Sequence, residues 1–296
     1  MPKFVPALLV LLILSRSLFS QDTGSIDESW FYTSLLQKAY PEKSINPIYD
    51  RTKALWSILI TAHDKTTLLY WKEGRLLPSS LLDSYLDFDP IFTYTYADSV
   101  RDPKTFTAAE IENLRTIVDS RLKGSIKKKS SDFLLNALYN GESEDSILTH
   151  IVPLVFLGKK IIIHEDLLPA LKRVQTRLNN EAKTDEQIKT FLESLGNMSG
   201  YNWRDIRDIS SRSTHSWGIS IDILPRKMNV YEIYWMWTKD INEQNWMKTP
   251  LKLRWIPPEK VISIFEEEGF VWGGKWIIWD NMHFEYRPDI LLYSEK

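Results

Sequence analysis

The chain contains no cysteine, so no disulfide can brace it. Its stability must come from an apolar core, from bound metal, or from both. A 43% apolar composition over 296 residues is enough for a sizeable core. An excess of either charge is also missing, since 37 Lys and Arg face 39 Asp and Glu for a net charge of -2. That balance excludes the basic field expected of a nucleic-acid binder. Only Lys123 to Lys129 is locally basic, and it reads as a solvated linker rather than a polyanion site.

Long apolar runs are absent as well. Met1 to Ser20 carries a lysine at position 3, an apolar stretch from Phe4 to Leu14, and small or polar residues up to Ser20-Gln21. This is the layout of a secretory signal, and the stretch is shorter than the about 20 apolar residues that span a bilayer. Residues 1–20 are therefore expected to be a signal peptide, with the mature protein periplasmic or secreted and without a transmembrane helix. The alternative is an uncleaved anchor at the membrane surface. With no cysteine behind the apolar stretch, a lipid-anchored bacterial lipoprotein is excluded.

A seam is expected near Ser143 to Ser146. Upstream, Thr107-Ala108-Ala109-Glu110 is a capping box that opens an amphipathic helix through Ile111, Leu114, Val118 and Leu122. A second helix runs around Asp132 to Asn140 and should end at Gly141. The stretch from Trp30 to Asp102 is rich in aromatics and prolines, without a repeat or a catalytic pattern. Residues 21–142 thus read as a mostly helical N-terminal region of unknown role.

Downstream the pattern is mixed. Ile151 to Phe156 and Lys160 to His164 flank Leu157-Gly158-Lys159 as a hairpin. Helices are expected from Glu165 to about Asn179, from Asp185 to Leu195 with Gly196 closing it, and from Pro258 to Glu268. Ile219 to Leu224 and Lys275 to Trp279 have strand character. The predicted class is α+β, a small antiparallel sheet with flanking helices that carries a metal site, preceded by the mostly helical N-terminal region.

Two segments carry chemistry. Ser213-Thr214-His215-Ser216-Trp217-Gly218-Ile219-Ser220-Ile221-Asp222 and Trp279-Asp280-Asn281-Met282-His283-Phe284-Glu285 offer two imidazoles and a carboxylate as ligands, with a second carboxylate nearby. That is the donor inventory of a catalytic zinc site and its base. In one straight strand His215 and Asp222 would lie about 23 Å apart, so the chain must fold back between them, and Gly218 is the place for the bend. Beyond it Ile219, Ile221 and Ile223 share one strand face, while Ser220 and Asp222 share the other. The bland reading of this segment is a half-buried strand with an exposed aspartate and a chance histidine.

In the second segment strict alternation would put Asp280 and His283 on opposite faces. The strand must end near Asp280, with a turn at Asn281-Met282. Asp280 could then accept a proton from the attacking water while His283 binds the metal. Glu285 could orient a ligand, or simply pair with Arg287.

The pattern Ser-x-His-x-x-Gly-x-x-x-Asp, then Gly269 to Trp276, then Asp-x-x-His-Phe-Glu, resembles the zinc peptidases that cleave bacterial peptidoglycan stem peptides. That family includes D-alanyl-D-alanine carboxypeptidases and phage L-alanyl-D-glutamate endolysins, and its fold is shared with the zinc domain of hedgehog proteins. The resemblance runs from about Ile151 to Leu292 and implies a zinc peptidase domain over residues 143–296. It implies Zn2+ as cofactor, a peptidoglycan stem peptide as partner, His215, Asp222 and His283 as zinc ligands, and Asp280 as catalytic base. An aspartate at 280 marks the L-alanyl-D-glutamate branch, because the carboxypeptidase branch usually has glutamate there. Gly200-Tyr201-Asn202-Trp203-Arg204 resembles the segment that supplies an arginine to the substrate carbonyl, which makes Arg204 the catalytic candidate with Arg207 and Arg212 as rivals. Ser213 is a candidate for substrate binding, and Ser220 stands where the family often has alanine.

The same resemblance allows a non-catalytic zinc-containing module that binds cell wall or a partner. His63, His150 and His164 lie outside the motif without matched carboxylates and read as surface or satisfied core histidines. Among the tryptophans from Trp235 to Trp279, Trp272 and Trp276 read as structural, and the stretch from Asn229 to Trp255 should border the cleft.

Overall fold

The computed structural model describes residues 24–123, 128–206 and 211–295. The expected signal peptide, Arg207 and the middle of the basic run lie outside the described residues. Helix α1 (Gly24–Ala39) leads into four strands, β1 (Ser44–Asp50), β2 (Leu55–Ala62), β3 (Lys65–Lys72) and β4 (Arg75–Leu77), paired antiparallel in sequence order. Then follow α2 (Ala108–Leu122), α3 (Phe133–Tyr139) and α4 (Glu144–Leu148).

The N-terminal region therefore holds the expected helices and, beside them, a four-stranded sheet. The strands form because β2 alternates inward Ile58, Ile60 and Ala62 with outward neighbours, a period of two. The two tight connections, His63-Asp64 and Glu73-Gly74, have positive φ at both residues, the backbone that suits a two-residue hairpin. The Thr107–Glu110 capping box forms as expected. Helix α3 is terminated by Asn140 in the left-handed conformation, one residue before the glycine expected to do so.

The remaining elements are β5 (Ile151–Phe156), β6 (Lys159–His164), α5 (Leu168–Glu181), α6 (Glu186–Ser194), β7 (Leu195–Ser199), β8 (Ser220–Pro225), α7 (Trp235–Ile241), α8 (Glu259–Glu267), β9 (Phe270–Trp272), β10 (His283–Tyr286) and α9 (Pro288–Ser294). Strands β5 and β6 make the expected hairpin. A second four-stranded antiparallel sheet has the order β7-β8-β10-β9. Gly196 does not close α6 but sits in β7, where a Cβ would lie 2.7 Å from the Pro225 carbonyl oxygen. The expected strand at Lys275–Trp279 is also absent among the described residues, because β9 stops at Trp272 and a 3₁₀ turn over Gly273–Lys275 bends the chain away.

One buried cluster contains Leu36, Ile58 and Leu138 together with Phe156, Leu171, Trp217, Phe265 and Phe284. It thus runs across the Ser143–Ser146 stretch, where Ser143 and Ser146 form the N-terminal capping box of α4. Helices α5 and α8 close the core beside the second sheet through Leu171, Val174 and Leu178 on one and Val261, Ile262 and Phe265 on the other. That leaves the opposite face of β8 and β10 to the polar residues.

Candidate metal centre and its cleft

His215 lies in a 3₁₀ turn over Thr214–Trp217, and Gly218 ends that turn in the left-handed conformation at φ 66°. The chain then reverses into β8, as the spacing of His215 and Asp222 requires. A side chain on Gly218 would be strained by this backbone and would place its Cβ 2.7 Å from the His164 amide nitrogen. Asp222 and His283 are direct cross-strand partners on β8 and β10, and Ile221 and Phe284 turn into the core from the same pair.

The donor atoms converge. His215 Nε2 is 3.2 Å and His283 Nδ1 is 3.1 Å from Asp222 Oδ1. Ligands at about 2.0–2.1 Å from a tetrahedral ion are separated by about 3.3 Å, so this set already has the spacing a metal requires. The outer nitrogens are held too. His215 Nδ1 donates to the Gly200 carbonyl at 2.6 Å, which leaves Nε2 with its lone pair turned inward. His283 Nε2 lies 3.2 Å from Glu285 Oε2, so Glu285 orients His283 rather than pairing with Arg287, which bonds Asp289. The three residues can hold a metal ion.

Burial works to raise the Asp222 carboxyl, but His215 and His283 outweigh it and hold it below its ordinary value. Burial disfavours charge on His283, yet its bonds to Asp222 and Glu285 win and raise it to about 10. Glu285 is likewise lowered, since the pull of His283 exceeds the effect of burial.

Asp280 lies in the loop just before β10, so the conflict with strand alternation disappears. Its amide donates to the Gly273 carbonyl at 3.0 Å, and the His283 amide donates to its carbonyl at 3.3 Å. Burial pushes its carboxyl up to about 7 against the pull of His283. Its Oδ1 is buried without a hydrogen-bond partner among the described residues. An oxygen left in this way is open to a water, an ion or a substrate group.

Asp280 and the three donors line a 370 Å³ cleft with Arg204, Ser213, Tyr234, Trp237 and Trp276. The Asn229–Trp255 stretch borders it as expected. Trp272 is fully buried, but Trp276 is half-buried and lines the cleft, which corrects its structural reading. Arg204 is exposed at the cleft, whereas Arg212 is used elsewhere. Its guanidinium stacks on Trp203 and Trp217 and donates to Asn136 Oδ1 and the Gly141 carbonyl.

Three supporting residues were not legible as such. Ser216 Oγ accepts from the Arg204 amide and donates to the Arg204 carbonyl, fixing that segment against the 3₁₀ turn. Thr214 Oγ1 donates to Glu285 Oε2 at 3.0 Å and accepts from Ser220 Oγ at 2.6 Å. Ser220 therefore anchors a chain of contacts that ends on His283. Their only sequence signal is their place beside His215 and Asp222.

Beyond the cleft, a 660 Å³ cavity is lined by Thr93, Tyr94 and Arg101 from the N-terminal region and shares Trp276, Ile278 and Glu285 with the cleft. His63, His150 and His164 gather into a second cluster with Glu165 and Asp166, which corrects the expectation that they lack carboxylate partners.

Residues 207–286 match a family described as D-alanyl-D-alanine carboxypeptidase, and residues 32–93 match a domain of unknown function. The first match contains His215, Asp222, Asp280 and His283, and it stops short of Arg204. No significant match to a curated protein or to a solved structure was found.

Proposed function

We propose that this chain is a zinc-dependent peptidase that hydrolyses a bond in bacterial peptidoglycan stem peptides, with L-alanyl-D-glutamate favoured over D-alanyl-D-alanine. The observation that carries this reading is the convergence of His215, Asp222 and His283 in one cleft with Asp280, whose Oδ1 has no partner among the described residues. The choice of bond rests on aspartate rather than glutamate at 280. On this reading residues 143–296 form the peptidase unit, and the Met1–Ser20 segment directs export.

Two imidazoles, one carboxylate and an open cleft fit zinc, whose catalytic sites take three protein ligands. His215, Asp222 and His283 would hold the zinc, which would supply Lewis acidity for the scissile carbonyl and for water near neutral pH. Asp280 takes the proton from the attacking water and returns it to the leaving amine. Its low-dielectric position and elevated pKa suit both halves of that transfer. Arg204, at the cleft and clamped through its backbone by Ser216, supplies positive charge to the developing oxyanion. Ser213 and the rings of Trp237 and Trp276 contact the peptide. A merely binding module would gain nothing from burying an unpaired Asp280 oxygen beside three ligands.

The deciding experiment is mass spectrometry of purified stem peptides and intact peptidoglycan after incubation with zinc-loaded protein. New L-alanine and D-glutamate termini support the favoured bond. Release of terminal D-alanine keeps the peptidase and moves the bond. Zinc binding without any cleavage refutes the enzyme reading.

A further inference from the structure

The second histidine cluster is built from parts far apart in sequence. His63 comes from the β2–β3 turn, His150 from the approach to β5, and His164 from the end of β6, yet one ring nitrogen of each lies within 4.8 Å of the others. His164 is fully buried, and the side chains of His63 and His150 are only 10% and 17% exposed. Such closure suits a structural ion rather than a substrate site.

The charged groups facing the cluster are Lys43, Glu165 and Asp166. Asp166 Oδ2 lies 2.9 Å from His63 Nε2 and 3.4 Å from His164 Nδ1. The Lys43 ammonium is wedged at the same point, in contact with Asp166 Oδ2 and 3.2 Å from His63 Nε2. A cation position surrounded by imidazole and carboxylate donors is thus already formed, and an ammonium holds it.

The outer contact of His164 has the pattern of a metal-bound imidazole. His164 Nε2 is 3.2 Å from the Tyr139 carbonyl, which can only accept, so the proton is on Nε2, and the Nδ1 lone pair accepts from the Asp166 amide at 3.1 Å, a bond that an ion at Nδ1 would replace. His150 Nε2 is 3.1 Å from the Asn140 side-chain amide, whose Oδ1 is buried without a partner among the described residues. His150 Nδ1 lies 2.8 Å from Glu165 Oε1, so an ion would take Nδ1 in place of that contact once the Asn140 amide is turned over and its Oδ1 accepts from Nε2–H.

We propose that His63, His150, His164 and Asp166 form a second, structural site for a first-row divalent ion such as Zn2+, with the Lys43 ammonium as the cation that the ion displaces. Three imidazoles and a carboxylate complete a closed four-ligand set of the type zinc accepts. The ion would fasten the N-terminal sheet, through His63, to the β5–β6 hairpin. That hairpin touches the cleft's own scaffold, since the His164 amide donates to the Gly218 carbonyl at 2.9 Å.

The test is zinc content by elemental analysis after the chain is equilibrated with Zn2+ and desalted, with affinities from titration calorimetry. Wild type should carry two ions, and His63→Gln and His150→Gln one each. Lys43→Met should keep two and bind the second at least tenfold more tightly. Unchanged zinc content in both histidine variants, or a second-ion affinity not raised in Lys43→Met, overturns the proposal. One ion in wild type and none in His63→Gln would keep this site and reject the one in the cleft.

Discussion

His283 and Asp222 stand opposite each other on β10 and β8, with His283 Nδ1 3.1 Å from Asp222 Oδ1. The strand register therefore sets the spacing of two donors, and a slip of one residue would turn His283 into the core. His215 reaches the same oxygen from a separate turn, so its position depends on the bend rather than on the ladder.

Removing a ligand and removing the base should have different consequences. His283→Ala is expected to lose the cleft zinc and all activity. Asp280→Ala should retain zinc while kcat falls about 10²–10⁴-fold. Zinc analysis beside peptide hydrolysis separates the two, and a zinc-depleted Asp280→Ala protein would refute the assignment of base.

Glu285→Gln keeps the shape of the side chain but weakens its hold on His283 Nε2. Zinc affinity in the cleft should drop about 10–100-fold. Competition with a chromogenic chelator measures this, and an unchanged affinity would show that Thr214 and Ser220 end on an idle carboxylate.

Acid should oppose metal binding at the cleft. His283 is raised to about 10 by its two carboxylate partners, so it is protonated at neutral pH and must lose that proton to bind an ion. Affinity should rise with pH by up to about tenfold per unit until pH approaches about 10. Calorimetry at pH 7 in buffers of different ionisation enthalpy should find about one proton released per ion. No net release would contradict the raised value.

Gly218→Ala adds a Cβ at φ 66° and 2.7 Å from the His164 nitrogen. A loss of about 1–3 kcal/mol is expected from urea unfolding, with weaker zinc binding because His215 shifts relative to Asp222. Wild-type stability in this variant would mean that the bend tolerates an ordinary residue.

Two arginines near the cleft should behave oppositely. Arg204→Ala is expected to lower kcat about 10²–10³-fold at unchanged melting temperature. Arg212→Ala removes a guanidinium stacked on two tryptophans and bonded to Asn136 and Gly141, so it should cost about 1–3 kcal/mol of stability. Thermal melts and initial rates on the same preparations check both.

His215, Asp222 and His283 were singled out by the family resemblance of their motifs, and their placement was legible in part because the spacing forces a bend at a glycine and Ile219, Ile221 and Ile223 mark the buried face opposite Asp222. The N-terminal sheet was obscured because β1 contains Pro47, which argues against a strand, and because the first tight turn uses His63-Asp64, with no glycine. Trp276 was misassigned because burial cannot be read from residue type once a turn at Gly273–Lys275 redirects the chain. The cluster of His63, His150 and His164 was hidden by sequence separation, since the three rings meet only in the folded chain.

The segment before α7 is stitched to the loop that carries Asp280. Tyr234 and Asp280 form an antiparallel bridge, the Trp235 amide donates to the Trp279 carbonyl, and the Asn281 amide donates to the Ile233 carbonyl. Tyr234, Trp235 and Trp237 also line the cleft. The wall that meets a ligand and the carboxylate proposed to move the proton are therefore one mechanical piece. A ligand that presses on that wall displaces Asp280 with it, so a poorly seated peptide would be held without its proton acceptor in place.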